Sequence, residues 1–353
     1  MQRNFILTDI MKTGNHLMLE EFIDTHLLPD QTFDCTGEYY TLHNFNLDSY
    51  DRRFAIIDTR LANKRVDDPA FTAELENRCK LLHSQGFVFI KANPWESLDN
   101  VNNSPQYPQT DIKHIKWNGG VSWFWFYMYK KHLNNTFKFT HDHFGSYFYK
   151  KHDFLYLNKQ PREHRVQLYN KLLKENVLSN SIYTNWPTRK LPPEYELPWA
   201  QDYPMEGMDQ DIYEQPYVDT VCSIVSETND NDTDVFMTEK IWKPIIAQQV
   251  FVVHGNHLYL QKLREIGFKT FGSYFDESYD LESNRDKKID AIVSLCKDLK
   301  TKDWRDIYLQ SKALRQHNYD TFFDKAKLSA EVNKTLISFL EFADSSQISS
   351  RES

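Results

Sequence analysis

The stretch from residue 54 to residue 94 constrains the fold most strongly. FAIIDTR (54–60) is a β-branched apolar run that ends in polar residues, a pattern typical of a buried strand. Residues 68–86 predict a helix with Asp68 at its N-cap, and FVFIKANP (87–94) predicts the next strand. Strand, helix and strand within about forty residues form a βαβ unit, and such units build parallel sheets.

The second half of the chain repeats this alternation. The predicted strands are DFLYLN (153–158), TVCSIVSET (220–228) and VFVVHG (250–255). The predicted helices are VQLYNKLLKENVL (166–178), TEKIWKPIIAQ (238–248) and HLYLQKLREIG (257–267). Between these elements, residues 186–217 predict a long irregular excursion.

A chain of 353 residues exceeds one typical core and fits two domains. We predict an N-terminal α/β domain over 1–150, a C-terminal α/β domain over 151–330, and a helix with a disordered tail over 331–353. The fold class is α/β, with two doubly wound, Rossmann-like domains that face each other across a cleft. In such sheets ligands bind at the carboxyl ends of the strands.

Composition excludes several classes of protein. The net charge of −8 gives no global attraction to nucleic acid or to an anionic membrane. The N-terminus lacks a signal-peptide pattern, and the most apolar window, VSWFWFYMY (121–129), is far shorter than the ~20 residues of a membrane helix. That window predicts a strand buried on both faces. No CxxC motif occurs, so free thiols in a cytoplasmic protein without a membrane span are expected.

Charged residues follow the strands of the second half and should gather on one rim. They are Arg162, Arg165, Glu227, Glu239 and Lys240. Arginines at a helix N-terminus suit a phosphate, and a lysine adds a point charge for a second one. A carboxylate beside them suits the hydroxyls of a ribose. The glycine-rich motifs of dehydrogenases and P-loop enzymes are missing from the sequence. The alternative is that Glu239 and Lys240 are a solvated helix start.

These residues stand in motifs that resemble those of glycosyltransferases with the GT-B architecture, closest to the family 10 fucosyltransferase-like group. Arg165 heads RVQLYNKL, which follows that family's R-x-x-Φ-Y-x-x-L pattern. The strand after it ends in SETN, and Phe236, Met237, Thr238, Glu239 and Lys240 then match an aromatic, two residues and Glu-Lys. The family usually has tyrosine where Phe236 stands.

The resemblance covers roughly residues 153–280 and implies a nucleotide-sugar-binding C-terminal domain. FGSYFDESYD (271–280) also resembles a stretch of glycosyltransferase-like proteins from viruses and bacteria. By the family's pattern, Arg165 and Lys240 hold the diphosphate. Glu239 then holds the ribose, and Phe236 lies near the base or the sugar.

An inverting transfer needs a base that takes the proton of the acceptor hydroxyl. The candidates are Glu96 and Asp58 at strand ends of the acceptor-side N-terminal domain, and Asp142 in the turn THDHFG; a histidine base stays open. No metal and no cofactor are expected. The trio His141, Asp142 and His143 cannot converge if the segment is extended, and NDNDTD (229–234) reads as a loop.

The sequence thus predicts a glycosyltransferase that moves a sugar from a nucleotide-diphosphate sugar to an acceptor hydroxyl. The acceptor is a glycan or another molecule. One alternative is a sugar transferase acting on hydroxymethylated bases of viral DNA, since aromatics interleave the basic stretch from Lys113 to Lys174. The other is a non-catalytic nucleotide-binding module.

Overall fold

The structure is a computed structural model. It describes residues 3–9, 31–36, 46–50, 52–58, 69–92, 120–133, 141–158, 160–184, 192–195, 212–230, 235, 237–331 and 334. It divides the chain into two compact units, Met1–Trp123 with Ser329–Ser353, and Phe124–Leu328.

A four-stranded parallel sheet lies in the first unit. Its strands are β1 Arg3–Asp9, β2 Gln31–Thr36, β3 Arg52–Asp58 and β4 Val88–Ala92, in the order β2-β1-β3-β4. Helix α1, Pro69–Ser84, connects β3 to β4. The predicted strand–helix–strand unit is therefore confirmed, with Ala55, Leu82 and Phe87 buried.

A second four-stranded parallel sheet forms the centre of the second unit. Its strands are β5 His152–Tyr156, β6 Ser181–Tyr183, β7 Thr220–Ser226 and β8 Val250–His254, in the order β6-β5-β7-β8. All residues of β7 and β8 are buried, as expected for a parallel sheet covered on both faces. The mixed α/β class with parallel sheets agrees with the sequence.

The helices of this unit alternate with its strands and then continue to its end. They are α2 Gly120–Leu133, which begins just before the unit, α3 His141–Gly145, α4 Glu163–Lys174, α5 Glu214–Asp219, α6 Glu239–Ile246, α7 Tyr259–Glu265, α8 Arg285–Thr301, α9 Trp304–Gln310 and α10 Lys312–Phe323. Short 3₁₀ turns lie at Leu47–Ser49 in the first unit and at Tyr147–Tyr149, Val177–Asn180, Pro193–Tyr195 and Ser278–Leu281 in the second.

The predicted strand VSWFWFYMY is wrong, because these residues belong to α2. Trp125 and Met128 are fully buried, and the Trp125 ring lies 5.7 Å from that of Trp242. The Trp125 indole N–H also donates to the Phe322 carbonyl at 2.9 Å. An apolar run of nine residues cannot be assigned to a strand or a helix by periodicity alone, and here it lies in a helix whose Phe124, Trp125, Phe126, Met128 and Tyr129 are buried.

The contacts of α2 also explain the division of the chain. The sequence places the first boundary at residue 150, whereas the second unit begins at Phe124. Trp125 belongs to the aromatic core of that unit, so α2 and α3 belong with it as well. Most of the predicted tail, 331–353, lies outside the described residues.

Candidate functional site

The strand order of the second sheet defines where a ligand would bind. From β5 the chain moves outward to β6, and then returns past β5 to β7 and β8. The connection after β5 leads to one edge of the sheet, and the connection after β7 leads to the other edge. The two connections diverge at the carboxyl ends of β5 and β7, and this place, the topological switch point, is where ligands of such sheets bind. The loops that follow these two strands supply the residues described next.

Arg162 precedes α4 at the switch point. It is the N-cap residue, with extended backbone and no side-chain capping bond. Its exposed guanidinium donates from Nη1 to the Asn229 side-chain oxygen at 3.3 Å. A cation therefore stands beside the N-terminal end of a twelve-residue helix, where the backbone favours anions.

Arg165 is buried one turn further along α4, and its guanidinium serves the neighbouring loop. Nε and Nη2 donate to the Glu227 carbonyl at 3.1 and 2.9 Å, and the Tyr156 hydroxyl donates to the Arg165 carbonyl at 3.1 Å. Burial lowers the pKa of Arg165, and Arg162 lowers it further, while Glu227 opposes both effects. Arg165 thus joins the ends of β5 and β7 to α4.

Glu227 is fully buried, and both of its carboxylate oxygens have internal partners. Oε1 accepts from the Tyr259 hydroxyl at 2.7 Å and from the Thr238 backbone at 3.2 Å. Oε2 accepts from the Thr238 hydroxyl at 2.6 Å and from the Thr228 backbone at 3.3 Å. Glu227 therefore fixes the loop that carries the start of α6.

Gly255 allows Tyr259 to reach Glu227. A Cβ at residue 255 would lie 2.7 Å from the Tyr259 ring carbon Cδ2, closer than side chains tolerate. The glycine at the end of VFVVHG thus has a packing reason: it leaves room for the tyrosine whose hydroxyl holds the Glu227 carboxylate.

Glu239 and Lys240 begin α6 as a pair. Thr238 caps the helix, and Lys240 Nζ donates to Glu239 Oε1 at 2.7 Å and to Thr238 Oγ1 at 3.0 Å. Burial raises the pKa of Glu239, but the charges of Lys240 and Lys243 outweigh it, and the net pKa is lowered. Glu239 is therefore a buried, ionised carboxylate beside an ammonium group that is about a quarter exposed.

A second charged network lies beside this loop and was not predicted from the sequence. Arg285, at the start of α8, donates from Nε and Nη2 to the two Asp230 oxygens at 2.6 and 2.9 Å. His164 Nδ1 lies 3.5 Å from Asp230 Oδ1, and His254 Nε2 lies 3.8 Å from Asp230 Oδ2. Asp230 belongs to NDNDTD, which was interpreted only as a loop; its partner Arg285 is 55 residues away, so spacing gave no signal.

Several buried polar atoms at the switch point have no hydrogen-bond partner within the part of the chain that the structure describes. They are both amide atoms of Asn158, the hydroxyl of Ser226, and Nδ2 of Asn229. These side chains are 4%, 2% and 9% exposed. Buried polar atoms are nearly always paired in folded proteins, so this cluster marks an unusual position. Single asparagines and serines after strands carry no distinctive sequence pattern, and the sequence analysis missed them.

The remaining predicted residues lie elsewhere. Asp58 is the last residue of β3 in the first unit, and Asp142 is exposed on α3 in the second. HDHFG, predicted as a turn, forms the short helix α3. Glu96 and Phe236 lie outside the described residues.

Within the described ranges, no three His, Cys, Asp or Glu side chains are grouped so that they could hold a metal ion. In the same part of the chain, no helix has the length and apolar character needed to cross a membrane.

Comparisons with known proteins found one solved structure. No protein-family model matches the sequence, and no curated protein matches it. The solved structure is an alpha1,3-fucosyltransferase with GDP-fucose. It is similar over 97% of this chain and 91% of its own length, with 11% sequence identity and a TM-score of 0.45.

Proposed function

We propose that this protein is a glycosyltransferase that binds a nucleotide-diphosphate sugar at the switch point of its second sheet. The observation that carries the proposal is that Arg162 and Lys240 both contact the loop after β7, Arg162 at Asn229 and Lys240 at Thr228, each at 3.3 Å, with Glu239 paired to Lys240. Two cations suit a diphosphate, and a neighbouring ionised carboxylate suits a ribose. Ligands of doubly wound sheets bind at this place.

Lys240 supplies the mobile charge in this proposal. Its ammonium group contacts Glu239, Thr238 and Thr228 through neighbouring oxygens, and it is partly exposed. A phosphate can replace these oxygens around the Lys240 ammonium group, including the Glu239 carboxylate oxygen. The Glu239 carboxylate is then available to ribose hydroxyls. Arg165 and Glu227 then act mainly by fixing the loops, while Phe236 stays a proposed contact to the base or sugar.

The proposed reaction is inverting and needs no metal. The acceptor oxygen forms a bond to C1 of the sugar as the C1–O bond to the diphosphate breaks, and the electron pair leaves with the phosphate. Arg162 and Lys240 stabilise the developing negative charge. A carboxylate among Glu96, Asp58 and Asp142 takes the acceptor proton. If single alanine variants of all three retain normal kcat on an acceptor, a histidine base or a retaining mechanism is the next hypothesis to test.

A sugar transferase acting on hydroxymethylated bases of viral DNA is the second candidate. Trp125 and Phe144 are buried in the core of the second unit and cannot stack on a flipped base, whereas Phe148 is 87% exposed. The acceptor proposed first is a glycan or another hydroxyl compound. The non-catalytic module is an outcome of the following experiment.

Thermal stability of the full chain tests the proposal. We expect GDP, UDP or one of their sugar conjugates to raise Tm, because a ligand at 100 times its Kd adds about 2.7 kcal/mol to the free energy of unfolding. Lys240→Ala should lose this shift, and Lys297→Ala, an exposed lysine of α8, should keep it. Binding without hydrolysis or transfer of any sugar would favour the non-catalytic module. No shift with any nucleotide would contradict the proposed function.

A further inference from the structure

The polar atoms without partners at the switch point lie in one place. Asn158 stands two residues beyond β5, and its backbone N–H donates to the Thr184 hydroxyl at 3.3 Å. Its side chain and that of Ser226, the last residue of β7, lie close enough to the Tyr156 hydroxyl to oppose the rise that burial causes in its pKa. Both side chains contact the Tyr156 hydroxyl, but among the described residues neither the Asn158 amide atoms nor the Ser226 hydroxyl has a partner at full hydrogen-bond distance and angle.

Asn229 faces the same crevice from the other loop. Its Oδ1 accepts from Arg162, while its Nδ2 has no partner. The loops after β5 and β7 therefore present amide atoms without partners, both atoms of Asn158 and Nδ2 of Asn229, beside the start of α4, which has no side-chain capping bond. Leaving buried amides unpaired destabilises a fold, so sites that do so are expected where a ligand completes the bonding.

The unpaired atoms define what the missing ligand must offer. Phosphate oxygens in a diphosphate accept hydrogen bonds, so they suit Asn229 Nδ2 and the Arg162 guanidinium. Asn158 Oδ1 needs a donor and Asn158 Nδ2 needs an acceptor. A sugar hydroxyl is both donor and acceptor. The Ser226 hydroxyl can pair with such a group in either direction.

We propose that Asn158, assisted by Ser226, binds a hydroxyl of the transferred sugar, while Arg162 and Asn229 bind the adjacent phosphate. This inference rests on the proposed function and adds a subsite to it. Asn158 thereby distinguishes a nucleotide-diphosphate sugar from the bare nucleoside diphosphate, which carries no sugar hydroxyl at that position. The same contact accounts for a buried amide without a partner in the protein itself.

The test compares two probes on the full chain. Affinities of GDP and UDP, and of GDP-fucose, GDP-mannose, UDP-glucose and UDP-N-acetylglucosamine, are measured by calorimetry for wild type and Asn158→Ala. For the sugar conjugate that wild type binds, we expect Asn158→Ala to lose about tenfold in affinity, the order of a lost hydrogen bond. Affinity for the matching nucleoside diphosphate should change less than about twofold. Asn170→Ala, an exposed asparagine of α4, should change neither.

Stability provides a second readout that separates a ligand contact from a structural one. Removing an amide that has no partner should leave the Tm of the ligand-free protein unchanged or raise it. A lower Tm together with an unchanged ratio of the two affinities would show that an internal water satisfies Asn158, and would overturn the inference. Unchanged affinity of Asn158→Ala for the sugar conjugate also overturns it.

The failure of this inference is distinguishable from that of the proposed function. If wild type binds no nucleotide at all, the proposed function fails. If wild type binds a nucleoside diphosphate and its sugar conjugate, and Asn158→Ala weakens both by the same factor, only the sugar-hydroxyl subsite is wrong.

Discussion

Buried polar side chains at the amino ends of strands β7 and β8 differ in hydrogen bonding from those at the carboxyl ends. At the amino ends, Gln249 Nε2 donates to the Tyr217 carbonyl at 2.9 Å and to the Thr220 hydroxyl at 2.6 Å. Its side-chain oxygen accepts from the Ser223 hydroxyl. At the carboxyl ends, the Ser226 hydroxyl and both ring nitrogens of His254 have no hydrogen-bond partner.

Asp219, which precedes the amino end of β7, is also fully paired. Its carboxylate, buried before β7, accepts from the Tyr195 hydroxyl at 2.7 Å, from Gln215 Nε2 at 2.9 Å, and from Lys151 Nζ at 3.1 Å. Gln249 and Asp219 are thus paired at the amino ends of β7 and β8, whereas Ser226 and His254 lack hydrogen-bond partners among the described residues at the carboxyl ends, beside the fully paired Glu227. Unpaired groups at the carboxyl ends stand where ligands of such sheets bind.

The largest expected loss of stability comes from removing the hydrogen bonds of Gln249 at the amino ends of β7 and β8. Gln249→Ala removes the side chain that joins Tyr217, Thr220 and Ser223, and leaves buried partners unpaired. We expect a loss of about 2–4 kcal/mol in the free energy of unfolding, the order of two lost buried contacts. Chemical denaturation of the full chain at neutral pH measures it. A loss below that of Asn158→Ala would remove the contrast between the two ends.

Acid should lower the free energy of unfolding through His254, the last residue of β8. Burial and the neighbouring His164 lower the pKa of His254 to about 3, with Lys288 and Arg285 acting in the same direction and Asp230 opposing them. The unfolded chain binds a proton near pH 6.5 that the folded chain refuses, so stability is present above that pH and is lost as pH falls toward 3.

The slope of this loss is at most about 1.4 kcal/mol per pH unit for one histidine. We expect His254→Gln to flatten the dependence of unfolding free energy on pH between 6.5 and 4.5. His83→Gln, an exposed histidine of α1, is the control and should keep the wild-type slope. An unchanged slope in His254→Gln would mean that another group governs the acid loss.

Ligand binding should respond to the charge at the start of α6. Lys240→Ala removes a charge-assisted contact that is worth roughly 1.5–3 kcal/mol, or about 10- to 150-fold in the Kd for a nucleoside diphosphate. Glu239→Gln should weaken the same binding while the fold stays intact. Stability loss without binding loss in Glu239→Gln would indicate that the pair only begins a helix.

The sequence predicted much of this fold because local patterns carry it. The elements β3, α1, β4, β5, α4, β7, α6, β8 and α7 have clear apolar patterns. The short strand β6 and helix α5 were missed, and α5, Glu214–Asp219, overlaps the stretch 186–217 that was predicted to be irregular. β1 and β2 were missed, since QTFDCT alternates weakly and RNFILTD ends in a charge. The sequence FWFYMY in α2 lacks polar positions that would reveal a period of 3.6. The sequence alone therefore could not assign it to a helix, which the structure shows packed through Trp125 on Trp242.

The places of the candidate residues follow from the strand order, but their bonding does not. Arg162 and Glu227 lie in the loops after β5 and β7, and Arg165, Glu239 and Lys240 lie in the first turns of the helices that follow these loops. The sequence could not show that Arg165 reaches the Glu227 carbonyl 62 residues away, or that Tyr259 reaches the Glu227 carboxylate over 32 residues.

The smallest expected effect tests the contrast within a single strand. Ser223 and Ser226 are both buried in β7, three residues apart, and differ in that only the Ser223 hydroxyl has a hydrogen-bond partner. Ser223→Ala should cost about 1–3 kcal/mol, because Gln249 loses the donor to its side-chain oxygen. Ser226→Ala should change the free energy of unfolding by less than about 0.5 kcal/mol, since it removes no bond. Equal losses in the two variants, measured by thermal and chemical denaturation, would show that the carboxyl end is paired in solution and that no ligand contact is needed to explain it.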